Sequence, residues 1–337
     1  MKTPILQILI GAAWLSPFSG AADELMPWLE RSNGVFSVHE AAAAGDMNAL
    51  RAAAVDKLTL NMADEQGRTP LDIAAASGHV EAVRHLIACG ATATEQTLRL
   101  AANAASKQVV QSALHMRNLE LQLCEAVASR NVPEVRRLLA QGVSSNALTH
   151  DHQQSVLMQA AGTGRIWMLR ILLENGADPN YVNAQTKSVL HVAAATGTAE
   201  IVRRLLAAGA DPLVQGSNGA TPLHDAVWMR NVATVQALLP AYKAQNYNPD
   251  GGRNGLPLLM AIAGGNTAVV QAFIDAGTDL RGACFEKHPP LAEAVKAGRV
   301  EISRVLYKAG ADPDAKDSTG KSARDYAAGK MPHIFND

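Results

Sequence analysis

Aromatic side chains are scarce in this chain of 337 residues: they make up 4% of it, although apolar residues reach 48%. The apolar content therefore comes mainly from Ala and Leu. A core of such small and aliphatic side chains suits closely packed helices, and it excludes a sandwich or barrel filled with aromatic rings.

Net charge is also almost absent, since 30 Lys and Arg stand against 31 Asp and Glu. Broad binding to nucleic acid or to an anionic membrane surface needs a strong positive field. We therefore expect no nucleic-acid partner.

Cysteine is rare as well, with only Cys89, Cys124 and Cys284. Three residues exclude a disulfide scaffold and a zinc site made of Cys alone. A phosphate-binding loop, a G-x-S-x-G motif and an H-E-x-x-H motif in a credible setting are missing too, so the sequence predicts no cofactor and no enzyme.

The amino terminus has the three-part layout of a secretory signal. Lys2 precedes the apolar stretch Ile5–Leu15, and small residues follow up to Ala21 and Ala22. The stretch is shorter than the roughly 20 residues that cross a bilayer as a helix. We predict cleavage near Ala21 or Ala22 and a periplasmic or secreted protein that does not insert into a membrane afterwards; the alternative is a short buried helix.

The rest of the chain repeats itself. Similar opening blocks start at Thr69-Pro70-Leu71, Ser188-Val189-Leu190 and Thr221-Pro222-Leu223. One marker residue can be taken from each block: His39, Asp72, Arg99, Cys124, Met158, His191, His224, Leu259, Ala292 and Asp325. The intervals between the markers are 33, 27, 25, 34, 33, 33, 35, 33 and 33 residues, which indicates one structural unit used many times.

These blocks, with endings such as Gly209-Ala210-Asp211, resemble the ankyrin repeat family, here as an exported protein of bacterial type. The resemblance covers about residues 36–330. It implies an all-α repeat solenoid of about nine to ten stacked helix-turn-helix pairs joined by β-hairpin loops. Thr69 and Thr221 suit helix N-caps, and Leu205 with Leu206 suits a buried stripe in one cooperative array.

The sequence divides into a signal peptide, a lead-in segment, the repeat domain and a tail, at 1–22, 23–35, 36–330 and 331–337.

The repeat domain should be irregular at 94–146 and at 240–255. In the first region we expect two short helices, Leu98–Ala105 and Lys107–His115, without a hairpin after them. In the second we expect a longer turn-rich loop that starts where Pro240 replaces the usual Gly-Ala-Asp ending.

Candidate chemical groups have simpler structural explanations. His191 and His224 stand where the family's histidine bonds the backbone or a hydroxyl near the hairpin, and Cys124 shares that inward position. Asp178, Asp211 and Asp312 recur with the repeat, so we expect them to order the hairpins. Two alternatives stay open: a metal pair in His150-Asp151-His152, and a reactive Cys284 near His288.

The resemblance implies another protein as the partner, bound at hairpin tips and at the concave face of the first helices by a monomer. Candidate tip residues are Arg68, Lys187, Asn218, Arg253, Lys287 and Lys321. Trp228 and Met229 occupy positions that are small or polar in most other units, which predicts an exposed apolar spot. The alternative is that the segment Tyr242–Gly255 covers them. Trp167 is expected to pack against a neighbouring repeat.

We therefore predict a non-enzymatic protein-interaction adaptor. Two alternatives are an inhibitor or immunity protein for a periplasmic toxin, and a secreted effector directed at a host.

Overall fold

A computed structural model describes most of the chain, namely residues 38–53, 57–149, 153–196, 198–245, 257–281, 288–328 and 334–335. The predicted signal peptide and lead-in segment lie outside these residues, as do Arg253, Cys284 and Lys287. The same holds for the His150-Asp151-His152 triplet.

The chain divides into two compact units, one up to Arg117 and one from Asn118 onward. The described helices that begin in the first unit are α1 (Val38–Ala44), α2 (Met47–Ala53), α3 (Lys57–Leu60), α4 (Pro70–Ala76), α5 (Val80–Ala88), α6 (Glu95–Leu100) and α7 (Ala104–Ala128). Helix α7 contains the boundary between the units. The buried core of the first unit is formed by residues between Ala41 and Val110.

The second unit continues with pairs of helices in which a first helix is followed by a second one. In chain order, the helices after α7 are α8 (Val132–Ala140), α9 (Val156–Gly162), α10 (Ile166–Glu174), α11 (Val189–Thr196), α12 (Ala199–Ala207), α13 (Pro222–Trp228), α14 (Val232–Ala244), α15 (Pro257–Ala263), α16 (Thr267–Asp275), α17 (Pro290–Lys296), α18 (Val300–Lys308) and α19 (Ala323–Ala327). The first helices are α9, α11, α13, α15, α17 and α19, and the second helices are α8, α10, α12, α14, α16 and α18. First helices pack on first helices and second on second, as between α11 and α13 and between α12 and α14. This is the stacked, all-helical solenoid that the repeats predict.

Several first helices begin with capping chemistry that the sequence supplies locally, and α4 is an example. The Thr69 side chain accepts a hydrogen bond from the Asp72 backbone N–H, and the Asp72 carboxylate accepts one from the Thr69 N–H at 2.9 Å. Pro70, the first helical residue, has no N–H to leave unpaired. The buried Asp72 also accepts a hydrogen bond of 2.6 Å from the Thr97 hydroxyl, which links this repeat to the next repeat.

The second helices bury one apolar stripe. In α12, Ile201, Val202 and Leu205 are fully buried. Leu206 is only partly buried against the same core, so the expected pair of equivalent leucines is unequal. A single helix pair cannot bury this stripe alone, so the neighbouring helix pairs cover it.

Hairpin loops connect the pairs, and they are turns rather than strands. In the described residues, pairing is limited to single bridges such as Val182 with Ser188. The Asn183 carboxamide oxygen accepts hydrogen bonds from the N–H groups of Gln185 and Lys187, at 3.0 and 2.9 Å. Hydrogen bonds to this side chain therefore hold the loop where a longer hairpin would have backbone hydrogen bonds between its strands.

The irregular region from residue 94 differs from the two short helices expected there. Helix α6 ends at Leu100, and α7 then runs without a break for 25 residues. No Gly or Pro occurs between Ala104 and Ala128 to end it. The unit marked by Cys124 therefore has the end of this long helix as its first helix.

Pro240 does not end its helix, in contrast to the loop expected from that position. It lies inside α14, which continues to Ala244. The buried Tyr242 holds the added turn, because its hydroxyl donates to the Pro212 carbonyl at 2.6 Å and accepts from the Leu223 N–H at 3.1 Å. The remaining part of the expected loop, 246–255, lies outside the described residues.

Candidate partner-binding surface

Trp228 and Met229 end the first helix α13 on the side opposite its core. Leu223 and Ala226 face the core, and Val227 is buried as well. Trp228 is 77% exposed and Met229 is 55% exposed. The two side chains are therefore exposed, as expected from the sequence, while residues 246–255 of the segment named as a possible cover lie outside the described residues.

The neighbouring units place small side chains at the same two positions. Ala195-Thr196 ends the preceding first helix and Ala263-Gly264 ends the following one. Helices α11 and α15 both pack against α13. Among these three repeats, Trp228 therefore has the one large side chain at this position. The alanines on either side of it, Ala195 and Ala263, project much less from the surface.

Arg230, directly after this pair, occupies a position that is glycine in most other repeats, although the repeat marked by Cys124 has Arg130 there. Its φ is +57°, whereas Gly164 and Gly265 have φ of +70° and +68° at the corresponding turn. A non-glycine residue pays roughly 1–2 kcal/mol for this left-handed backbone. The Arg230 guanidinium donates through Nη2 to the Gly264 carbonyl at 3.0 Å, at the C-terminal end of the next first helix. Trp228 and Met229 thus differ from their counterparts in the two neighbouring repeats, whereas Arg230 shares its residue type and its positive φ with Arg130, whose φ is +65°.

The predicted tip residues of the hairpins are engaged in contacts within the fold. Arg68 pairs with Asp64 at 2.9 Å, and these hydrogen bonds lower the pKa of the Asp64 carboxyl. Lys187 forms an ion pair of 2.9 Å with Asp225, which lies in the next repeat.

Two further tip candidates, Asn218 and Lys321, are exposed. The Asn218 side chain accepts a hydrogen bond from the Ala220 N–H at 3.1 Å, and Lys321 lies over the Tyr326 ring at 5.7 Å. Arg253 and Lys287 lie outside the described residues. The structure thus does not gather the tip residues into one cluster, and Arg68 belongs to the first unit while the other described candidates belong to the second.

Trp167 does not pack against a neighbouring repeat, contrary to the expectation from the sequence. It is 68% exposed near the start of the second helix α10. The Arg170 guanidinium, one turn later, lies 5.4 Å from the centre of its ring. Its sequence neighbours Ile166 and Met168 pack against the core, so the Trp167 side chain faces solvent.

The histidines predicted to be structural are structural. His191 Nδ1 accepts from the Ser188 N–H at 3.2 Å, and His191 Nε2 donates to the Ala220 carbonyl at 3.0 Å. His224 Nδ1 accepts from the Thr221 N–H at 3.1 Å. Both rings are buried, and burial lowers the pKa of His191. Both therefore brace the start of a first helix.

The recurring aspartates order the hairpins, as expected. The carboxylates of Asp178, Asp211 and Asp312 each accept a hydrogen bond of 2.8–2.9 Å from the backbone N–H two residues later. Cys124 is a buried thiol that donates to the Leu148 carbonyl at 3.4 Å. Within the described ranges, no three His, Cys, Asp or Glu side chains come together as a metal site would require.

Family models match this chain as ankyrin repeats. A model of three ankyrin copies matches residues 4–97 and 179–250, and single-repeat models match residues 152–180 and 287–318. Together these matches extend over about two thirds of the chain. The chain belongs to the ankyrin repeat family, whose members are typically non-enzymatic scaffolds that bind other proteins.

Two solved structures and one curated protein are similar to this chain. The ankyrin repeat domain of Bcl-3, a member of the IkappaB protein family, has a TM-score of 0.53 and 24% identity; the match covers 61% of this chain and 92% of that one. The human ASB11 ankyrin repeat domain is 31% identical, with a TM-score of 0.49 and 62% and 92% coverage. "Zygote-specific protein 3" of Chlamydomonas reinhardtii is 34% identical over 103 residues, which are 31% of this chain and 27% of that protein. The match thus spans about a quarter of that relative.

None of the described helices is both long and apolar enough to cross a membrane.

Proposed function

We propose that this protein is an adaptor that binds a partner protein through the surface formed by Trp228, Met229 and Arg230, here named the Trp228 surface. The observation that carries the proposal is the 77% exposure of Trp228 at a register where neighbouring units have alanine. A residue that served only the stack would resemble its counterparts.

Binding energy favours this surface over the hairpin tips. Trp is over-represented among residues whose truncation costs 2 kcal/mol or more at interfaces. Exposed ion pairs such as Arg68 with Asp64 contribute little free energy. A tip residue that left its present partner to bind another protein would lose one such contact for each one it formed. We therefore assign Lys187, which pairs with Asp225 of α13, to the rim of this interface.

The experiment that tests this assignment is a quantitative pull-down from a native extract with three baits. They are the wild-type chain, Trp228→Ala and the matched control Trp167→Ala, which removes an equally exposed indole from a second helix. We expect at least one protein that the wild type and Trp167→Ala retain and Trp228→Ala loses. If every retained protein stays bound to Trp228→Ala, the proposal is wrong.

We further propose that the protein is exported and acts in the periplasm or outside the cell. The support is the sequence of residues 1–22 alone, and a family match that begins at residue 4 overlaps these residues without supporting export. Sequencing of the mature amino terminus should therefore start at Ala22 or Asp23, in a protein recovered from the periplasm or the medium. A chain that begins at Met1 and stays in the cytoplasm would contradict export without affecting the Trp228 surface.

A further inference from the structure

Arg230 of the Trp228 surface and Arg299 both direct their guanidinium groups to the C-terminal end of α15. Arg230 Nη2 donates to the Gly264 carbonyl at 3.0 Å, and Arg299 Nη2 donates to the Ala263 carbonyl at 2.6 Å. The Arg299 guanidinium also lies directly on Gly265, where an added Cβ would come within 3.0 Å of Nη1. Positive charge is therefore concentrated at the end of α15, the helix that packs beside Trp228.

These two guanidinium groups keep most of their hydrogen-bonding capacity. A guanidinium has five N–H donors, and each of these has one carbonyl contact in the structure. Both residues are exposed, and no carboxylate in the described part of the chain pairs with either of them. The carbonyl contacts hold the groups in place without neutralising their charge.

Two acidic side chains near this surface contact other side chains of the fold. Asp225, one turn before Trp228, is held by Lys187 at 2.9 Å. Glu293, on α17, is held by His288 at 3.1 Å and by Lys296 at 3.6 Å. Arg230 and Arg299 thus add positive charge at this surface without a carboxylate partner among the described residues, although the chain as a whole has a net charge of −1.

We propose that the partner segment at the Trp228 surface is acidic and carries a large apolar side chain. The apolar side chain lies beside the Trp228 indole, over the small residues Ala195 or Ala263. Carboxylates of the same segment pair with Arg230 and Arg299, whose planar groups suit bidentate contacts. This inference rests on the proposed function, because it specifies what the same surface binds.

Selection from a random 12-residue peptide library, displayed on phage and applied to the immobilised full chain, tests the chemistry directly. Peptides that also bind Trp228→Ala are removed. We expect the remaining sequences to be enriched in Asp and Glu next to Trp, Phe, Leu or Met. Peptides that need Trp228 but are neutral or basic would overturn the acidic partner and leave the proposed function standing. Failure to enrich any peptide that needs Trp228 would overturn both.

One synthetic peptide from the selection, labelled for fluorescence anisotropy, then measures the contribution of each group. Arg230→Gly removes the guanidinium at a position where the backbone favours glycine, so the fold is kept. We expect it to weaken binding by about two- to fivefold, as for the loss of an exposed charge contact. Trp228→Ala should weaken binding by about thirtyfold or more, and Trp167→Ala should not change it.

Salt supplies the second readout. Attraction between exposed charges is largely screened at 1 M salt, where the Debye length is about 3 Å. We expect the peptide's affinity for the wild type to fall as salt is raised, and to fall less steeply for Arg230→Gly. Unchanged affinity of Arg230→Gly, together with no salt dependence in the wild type, would contradict a charged contact.

Discussion

His191 shows how a single buried side chain supports the repeat. Its Nδ1 accepts from the Ser188 N–H, and its Nε2 donates to the Ala220 carbonyl of the following hairpin. A proton on Nδ1 would remove that acceptor. The neutral ring is therefore the form that fits, and burial lowers its pKa from an ordinary value near 6.5.

This network makes stability depend on pH. As pH falls below about 6.5, the unfolded chain binds a proton at His191 before the folded chain does, so the free energy of unfolding should decrease. Urea unfolding at pH values from 7.5 to 5.5 measures the slope. His191→Gln should be less stable throughout but should show a smaller slope than the wild type. An identical slope in both proteins would show that His191 does not contribute.

Leu205 and Leu206 offer a matched pair of truncations in one helix. Leu205 is fully buried and Leu206 only partly. Leu205→Ala should cost roughly 2–5 kcal/mol, as truncations of buried leucines do. Leu206→Ala should cost clearly less, because less apolar contact is lost. Chemical denaturation of both variants measures the difference, and equal losses would mean that the burial of α12 is assigned incorrectly.

Elements were predictable from the sequence where their causes are local. Thr69 followed by Pro70 fixes the start of α4, and this chemistry is visible without any neighbour. The exposure of Trp167 was missed because it depends on which way the second helix faces, which is a property of the stack. Arg230 was overlooked although the sequence held the signal, an arginine where most other repeats have glycine.

Helix α7 is the element in which local and global patterns disagree. The repeat predicts a break between Ala104 and Ala128, but the absence of Gly and Pro allows one continuous helix. Much of it is solvent-exposed, although Ser106 and Val110 are buried. Its hydrogen bonds therefore have less protection from tertiary packing than those of α11 and α12.

Hydrogen exchange measures this difference. Amides from about Thr94 to Glu120 should exchange faster than those from Val189 to Ala208, where His191, Ile201 and Leu205 are fully or almost fully buried. Mass spectrometry of peptides from both segments of the same sample provides an internal control. Equal protection would show that α7 is as stable as the central repeats.

At the scale of the whole molecule, the expected single array contains two compact units with separate cores. The core of the first includes Leu86, and the core of the second includes Leu205; both side chains are fully buried. The intervals of 27 and 25 residues between the markers Asp72, Arg99 and Cys124 mark the region where the units divide. The sequence thus located the irregularity without revealing its consequence.

Separate cores predict separate unfolding steps, since stability in repeat proteins is approximately a sum over neighbouring repeats. Denaturant unfolding should show two transitions. Leu86→Ala should shift only one of them, and Leu205→Ala only the other, each by roughly 2–5 kcal/mol. A single transition that both substitutions shift equally would show that the chain unfolds as one array.

The Trp228 surface is the central claim, and the most direct test is to measure binding and thermal unfolding on the same Trp228→Ala protein. The ligand is a partner retained in the pull-down or a selected peptide. A side chain that is 77% exposed loses little burial on truncation, so Tm should stay close to that of the wild type. Affinity should fall by about 2 kcal/mol or more, as for an interface hot spot. A lowered Tm with intact affinity would show that Trp228 serves the fold, and it would contradict the account.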